Sequence, residues 1–108
     1  MGVLNDTRLR MQLEQLQVNA GKAESLLKSL ANQNRLMILC SLQHGERDVM
    51  SLVEQVGLSQ SAISQHLKVL RDANVLGARK EGVQVFYSIR EPLVSAILSN
   101  LYLAYCAD

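Results

Sequence analysis

Cysteine, proline and aromatic residues are all scarce in this chain, and no long hydrophobic run is present. Aromatic side chains make up 4% of the 108 residues while hydrophobic residues make up 48%. A core is therefore available, but Leu, Val, Ile and Ala must build most of it. The one proline is Pro92, and no low-complexity stretch or linker interrupts the sequence, which argues for a single domain over residues 1–108. No apolar run approaches the ~18 residues of a membrane span. The opening residues, MGVLNDTRLRM, carry no apolar segment of the kind a signal peptide needs. Gly2 is followed by Asp6 where the myristoylation pattern has Ser or Thr. A cytoplasmic protein with no membrane partner is expected. The two cysteines, Cys40 and Cys106, do not fit a C-x-x-C zinc spacing, and His44 and His66 sit in separate segments. No metal or cofactor is expected, and a cytosolic chain keeps its thiols reduced by default. No Ser/His/Asp set, paired carboxylates or Gly-rich phosphate loop stands out, so an enzyme is the weakest reading.

The net charge of +1 says nothing about partners, but its distribution does. Between Ser59 and Arg90, five basic residues (Lys68, Arg71, Arg79, Lys80, Arg90) face two acidic ones (Asp72, Glu81), a net +3 that leaves −2 for the rest. The cations gather in one part of the chain, as a nucleic-acid-binding surface requires. Five charges are also a small sample, and chance alone can cluster them.

The most informative stretch is SLVEQVGLSQSAISQHLKVL, Ser51 to Leu70. It reads as two helices and a tight turn. Leu52, Val53 and Val56 give the first helix an apolar face, and Asp48 can cap it. Gly57 suits the left-handed residue that ends a helix. Leu58 fills the corner, and Ser59 can cap the next helix. Ile63, Leu67 and Leu70 recur at i, i+4 and i+7, a single helical stripe. The other face shows Gln60, Ser61, Ser64, Gln65 and Lys68. A surface helix built for solubility usually carries Glu/Lys pairs instead. Gln and Ser both donate and accept, which suits base edges and phosphates. The stretch predicts a helix-turn-helix with Gln60–Arg71 as its recognition helix. The plainer alternative is an αα-hairpin in a small helical domain.

The flanking segments favour the DNA reading. Asn5 or Asp6 can cap a first helix, along which Leu9, Leu13, Leu16, Ala20, Ala23, Leu27 and Leu30 follow at heptad-like steps. Gly21 weakens its middle, where the stretch can divide into two helices. Either a second subunit or the chain's own core must cover that stripe. Asn34–Leu42 reads as a second helix, apolar on most sides and therefore buried, with Cys40 inside it and Gly45 as its stop. After the recognition helix, Ala78–Glu81 and Gln84–Ile89 flank a turn at Gly82-Val83, with Val83, Val85, Tyr87 and Ile89 alternating against polar neighbours. This predicts a β-hairpin with Arg79, Lys80, Glu81 and Gln84 at its tip. Helix-turn-helix plus basic hairpin makes a winged helix, whose wing supplies phosphate contacts. Lys68, Arg79 and Lys80 are the candidate phosphate contacts. Pro92 opens a last helix with two apolar stripes, Leu93/Ile97/Leu101/Ala104 and Val94/Leu98/Tyr102/Tyr105. One stripe suits the core and the other a symmetry mate, so a homodimer on a two-fold operator is expected. The fold class is mainly α with a β-hairpin wing.

With LSQSAISQHLKVLRDANVL followed by RKEGVQVFYSI, the chain resembles the ArsR/SmtB family of bacterial repressors from about Ala20 onward. The resemblance implies a dimeric winged helix that leaves its operator when an inducer binds, with Gln60, Ser61, Ser64 and Gln65 facing the major groove. The metal-sensing branch places C-V-C where this chain has Asp48-Val49-Met50, and Asp, His and Glu on a last helix that here has no His and only a terminal Asp108. The chain is more similar to the thiol-sensing branch, the BigR, SqrR and HlyU group. That group carries one cysteine within R-L-x-I-L-C and another near the C-terminus after a Tyr, as do Arg35–Cys40 and Tyr105-Cys106 here. The resemblance implies that Cys40 and Cys106 are redox sensors, closed into a disulfide or polysulfide bridge by reactive sulfur species or another oxidant. Some members of the HlyU group instead bind DNA constitutively and act as anti-repressors or activators.

Overall fold

The computed structural model describes residues 3–107, with side chains from residue 6 onward. Gly2, the side chain of Asn5 and the terminal Asp108 lie outside the described residues. Five helices and three short strands follow in the order α1 (Val3–Leu30), α2 (Gln33–Leu42), β1 (Arg47–Asp48), α3 (Val49–Val56), α4 (Gln60–Asp72), β2 (Leu76–Glu81), β3 (Gln84–Ile89) and α5 (Pro92–Tyr105). The strands form one antiparallel sheet in the order β1-β3-β2.

The core sits where α2, α3, α4 and the N-terminal half of α5 meet the sheet. Ile38, Leu39, Leu52, Ile63, Leu70 and Val94 are fully buried there. Each such side chain contributes on the order of 1.5–3 kcal/mol by leaving water. Local chemistry sets the helix starts. The Asn32 side chain accepts from the N–H groups of Asn34 and Arg35, both at 3.0 Å, so α2 begins earlier than the expected Asn34. Arg35 Nε donates to the Ser29 carbonyl at 2.6 Å and fixes α2 to the end of α1. Asp48 accepts from Ser51 N–H at 2.9 Å and starts α3. Gly57 ends α3 at φ +81, and Ser59 Oγ accepts from Ala62 N–H at 3.1 Å to start α4. The expected helix-turn-helix is present at the expected residues.

Other features also differ from expectation, β2 among them, which begins at Leu76 and not at Ala78. Helix α1 runs unbroken through Gly21 for 28 residues. A single glycine costs about 1 kcal/mol, which a long cooperative helix absorbs. It also starts at Val3, so Asp6 lies inside its first turn instead of capping it. The hairpin gains a third strand: Arg47 and Asp48 of β1 pair with Tyr87 and Phe86 of β3. The turn falls at the expected Gly82 (φ +62) and Val83, since Glu81 pairs with Gln84, but Val83 is 98% exposed there and drops out of the expected apolar alternation.

Among the described side chains of α1, those of its C-terminal turn reach the core, through Leu30 and the half-buried Leu26. Leu9, Leu13 and Leu16 are 53–58% exposed on this chain alone. On α5, Val94 and Leu98 face the core, while Leu93, Tyr102, Leu103 and Tyr105 face solvent.

Candidate functional site

The recognition face is built by burying its opposite. Ile63, Leu67 and Leu70 anchor α4 in the core, which turns Gln60, Ser61, Ser64, Gln65 and Lys68 outward. All five are exposed, so the structure brings together the whole set named from sequence. Lys68 Nζ lies 3.0 Å from Asp72 Oδ2 one turn on, with both side chains about seven-tenths exposed. A surface pair of this kind contributes little and exchanges readily for another anion. Ser64, Lys68, Arg71 and Tyr87 line a cleft between α4 and the sheet. Arg71 thus joins the face as a cation that the sequence reading counted without assigning. Its position seven residues after Ser64, on the same side of the helix, was the available signal.

The wing stands beside this face. Lys80 is exposed, and its side chain makes no ion pair or hydrogen bond with another described residue. Arg79 is engaged. Its Nη2 and Nε lie 2.5 and 3.2 Å from the two carboxylate oxygens of Glu46, and its Nη1 lies 2.6 Å from Glu81 Oε2. The guanidinium carbon sits 4.9 Å from the centroid of the Phe86 ring. Hydrogen bonding to the two carboxylates raises the guanidinium's proton affinity further, and the bond from Arg79 holds Glu46 below the usual carboxylate range. Sequence reasoning missed Glu46, which lies 33 residues upstream of its partner. Gln84 Nε2 donates to Asp48 Oδ2 at 3.1 Å, joining the wing to the cap of α3. The bond from Ser51, followed by that from Gln84, depresses the Asp48 carboxyl.

Cys40 lies in the last turn of α2 and Cys106 at the C-cap of α5. The apolar composition of α2 suggested a buried Cys40, but Ile38, Leu39 and Leu42 are the residues buried in the core, with Leu36 packed against it, and Cys40 is not among them. Cys40 is exposed on a groove of about 520 Å³ between α2 and α5, which Gln43, His44, Leu98, Tyr102 and Leu103 also line. Gln43 Nε2 donates to the Ser95 carbonyl at 3.3 Å and to Ser99 Oγ at 3.4 Å, holding the end of α2 to α5. Cys106 is exposed at the C-cap of α5, its N–H bonded to the Tyr102 carbonyl at 2.8 Å. Partial burial, and then the nearby charge of Cys106, push the Cys40 thiol above its ordinary value. Among the described residues, no group of three or more His, Cys, Asp or Glu is placed to hold a metal ion. No helix of the described residues is long and apolar enough to cross a membrane.

These features agree with comparisons to known proteins. The family model described as "Bacterial regulatory protein, arsR family" matches residues 32–76, from the cap of α2 to the start of β2. The chain is 36% identical over 104 residues to the biofilm growth-associated repressor of Xylella fastidiosa, covering 96% of this chain and 91% of the relative. It is 43% identical over 96 residues to the transcriptional activator HlyU of Vibrio cholerae, covering 89% of each. The solved structure of reduced HlyU from Vibrio cholerae superimposes with a TM-score of 0.80 at 42% identity, over 86% of this chain and 98% of that one. A homodimeric winged helix-turn-helix DNA-binding domain from Mycobacterium bovis superimposes with a TM-score of 0.74 at 28% identity, over 81% of each chain.

Proposed function

The chain belongs to the arsR family of bacterial regulatory proteins, DNA-binding transcriptional regulators, and on that premise we propose that it is a homodimeric cytoplasmic repressor switched by oxidation of Cys40 and Cys106. The observation that carries the switch is the placement of two exposed thiols on one chain, Cys40 on the groove between α2 and α5 and Cys106 at the C-cap of α5. The solved relative is described as the reduced form of its protein, which fits a chain that has redox states. Gln60, Ser61, Ser64 and Gln65 read base edges in this reading, and Lys68, Arg79 and Lys80 meet phosphates. Their common exposure on α4 and the wing supports it.

The dimer forms through α1 and the solvent face of α5. Leu9, Leu13 and Leu16 leave a contiguous apolar stripe of α1 in water, and such a stripe marks a surface for a second partner. The homodimeric neighbour supports this arrangement.

The inducing chemistry is sulfur transfer. A cysteine thiolate takes the terminal sulfur of an organic persulfide, RSSH, giving Cys–SSH and RSH. The second thiol attacks the protein-bound sulfur, closes a disulfide and releases hydrogen sulfide. Overall the two thiols are oxidised and RSSH is reduced. When both cysteines carry an added sulfur, the same displacement leaves a trisulfide and hydrogen sulfide. The longer bridge tolerates a wider gap than the ~7 Å between Cα atoms that a disulfide allows. Either bridge ties the end of α5 to α2 and shifts the dimer seam. That moves two recognition helices whose half-sites lie ~34 Å apart.

The test is to treat reduced protein with a sulfane-sulfur donor or peroxide and to read intact mass and operator affinity together. The expected result is an intramolecular crosslink with affinity falling in parallel. Cys40→Ser and Cys106→Ser should each bind DNA and each fail to respond. A Cys106→Ser protein that still released DNA would refute the two-thiol switch. The identity to an activator favours one other reading, a constitutive DNA-binding activator or anti-repressor. Unchanged affinity after complete thiol oxidation would select it.

A further inference from the structure

Arg79 has the donors a DNA phosphate needs, yet in the free chain carboxylates occupy them. A guanidinium recognises carboxylate and phosphate with the same two-pronged edge. Glu46 holds one such edge through Nη2 and Nε, and Glu81 takes Nη1. The cluster of one cation and two carboxylates presents a net −1 at the wing. A phosphate approaching it meets repulsion unless Arg79 changes partner.

We propose that Glu46 is an affinity-determining residue for DNA: its carboxylate occupies the phosphate-binding edge of Arg79, and DNA must displace it. This rests on the reading of α4 and the wing as the DNA interface. Three observations support displacement over a fixed strut. The side chains of Arg79 and Glu46 are 50% and 39% exposed, so the pair sits where solvent screens it and exchange is inexpensive. Phe86 lies under the guanidinium at 4.9 Å, so the cation can swap anions while the ring keeps it on the wing. The side chain of the adjacent Lys80 has no ion-pair or hydrogen-bond partner among the described residues, so it can make the first phosphate contact without displacing anything. Glu46 therefore lowers affinity for all sequences alike, which keeps the regulator releasable.

The experiment is a double-mutant cycle on the full chain. Parent, Glu46→Gln, Arg79→Gln and the double variant are titrated against an operator duplex and an unrelated duplex at fixed salt. Glu46→Gln should bind both duplexes about two- to fivefold more tightly, the range of one exposed ion pair. In the Arg79→Gln background the same change should have less than half that effect. Equal effects in the two backgrounds would overturn the proposal, since Glu46 would then act only as a repelling charge. A second readout needs no variant: the Glu46 carboxyl, followed by NMR, should titrate at higher pH once the operator is bound. An unchanged titration in the complex would mean that Arg79 never leaves Glu46, and would also overturn it. A parent chain that bound neither duplex would instead overturn the reading of the interface itself.

Discussion

Replacing Gly57 and Gly21 each by alanine should change stability in opposite directions. Gly57 ends α3 at φ +81, and a Cβ built there meets nothing within 4 Å. Steric contact therefore contributes nothing, and only the backbone conformation matters. Holding an L-residue in the left-handed region costs about 1–2 kcal/mol, against about 0.4–1 kcal/mol gained from a less flexible unfolded chain. The net loss is about 1 kcal/mol, or roughly 5 °C in Tm for a domain of this size. Gly21 also has nothing within 4 Å of a built Cβ, but it lies in the middle of α1 with ordinary helical backbone. Alanine there should stabilise by about 1 kcal/mol. The two variants should differ by about 2 kcal/mol in urea denaturation, compared at one protein concentration because a dimer's stability depends on it. Gly57→Asn should lose less than Gly57→Ala, since asparagine tolerates the left-handed region. Gly57 also sets the angle between α3 and α4, so Gly57→Ala should weaken operator binding more than binding to unrelated DNA. If both alanine variants shifted stability in the same direction, the argument from backbone conformation would be wrong.

Gln65→Ala should cost roughly 1–3 kcal/mol on the cognate site and little elsewhere, measured by fluorescence anisotropy on matched duplexes; an unchanged sequence preference would misplace the recognition face. Lys80→Ala should weaken binding to every sequence and reduce the salt slope by about 0.9, and a sequence-dependent loss would remove it from the phosphate contacts. Charged replacements at Leu13 and Leu101 should give monomers that bind half-sites poorly, and a parent chain that sediments as a monomer at micromolar concentration would sink the dimer. Because burial and Cys106 raise the Cys40 thiol, its thiolate fraction is low at neutral pH. The rate at which Cys40 itself attacks a sulfane-sulfur donor, read in the Cys106→Ser chain, should therefore keep rising with pH beyond the range where an ordinary thiol levels off; quenched time courses read by mass spectrometry test this.

The parts of the fold legible in the sequence are those with short-range causes. Asp48, Gly57 and Ser59 mark the helix boundaries by local hydrogen bonding and backbone conformation, and each does so at its expected position. Ile63, Leu67 and Leu70 fix by period alone which side of α4 faces out. The illegible parts have distant causes. Strand β1 is two residues long, without a pattern of its own, and exists because Phe86 and Tyr87 pair with it from across the sheet. The Glu46 partner of Arg79 lies 33 residues away, and no spacing rule reaches that far. Helix α2 looked apolar on most sides, and sequence could not say that Cys40 faces a groove against α5.

Asp48 closes the second strand pair, starts α3 and accepts from Gln84, all at one residue. The mechanical consequence is that the wing and the helix-turn-helix form one stiff tool, with no joint between its two blades. Heating should loosen the amides of β3 and of the first turn of α3 together. An inducer that acts on α5 cannot retract the wing alone; it can only tilt the whole tool. On the proposed reading of α4 as base reader and the wing as phosphate holder, both would leave the double helix in a single movement.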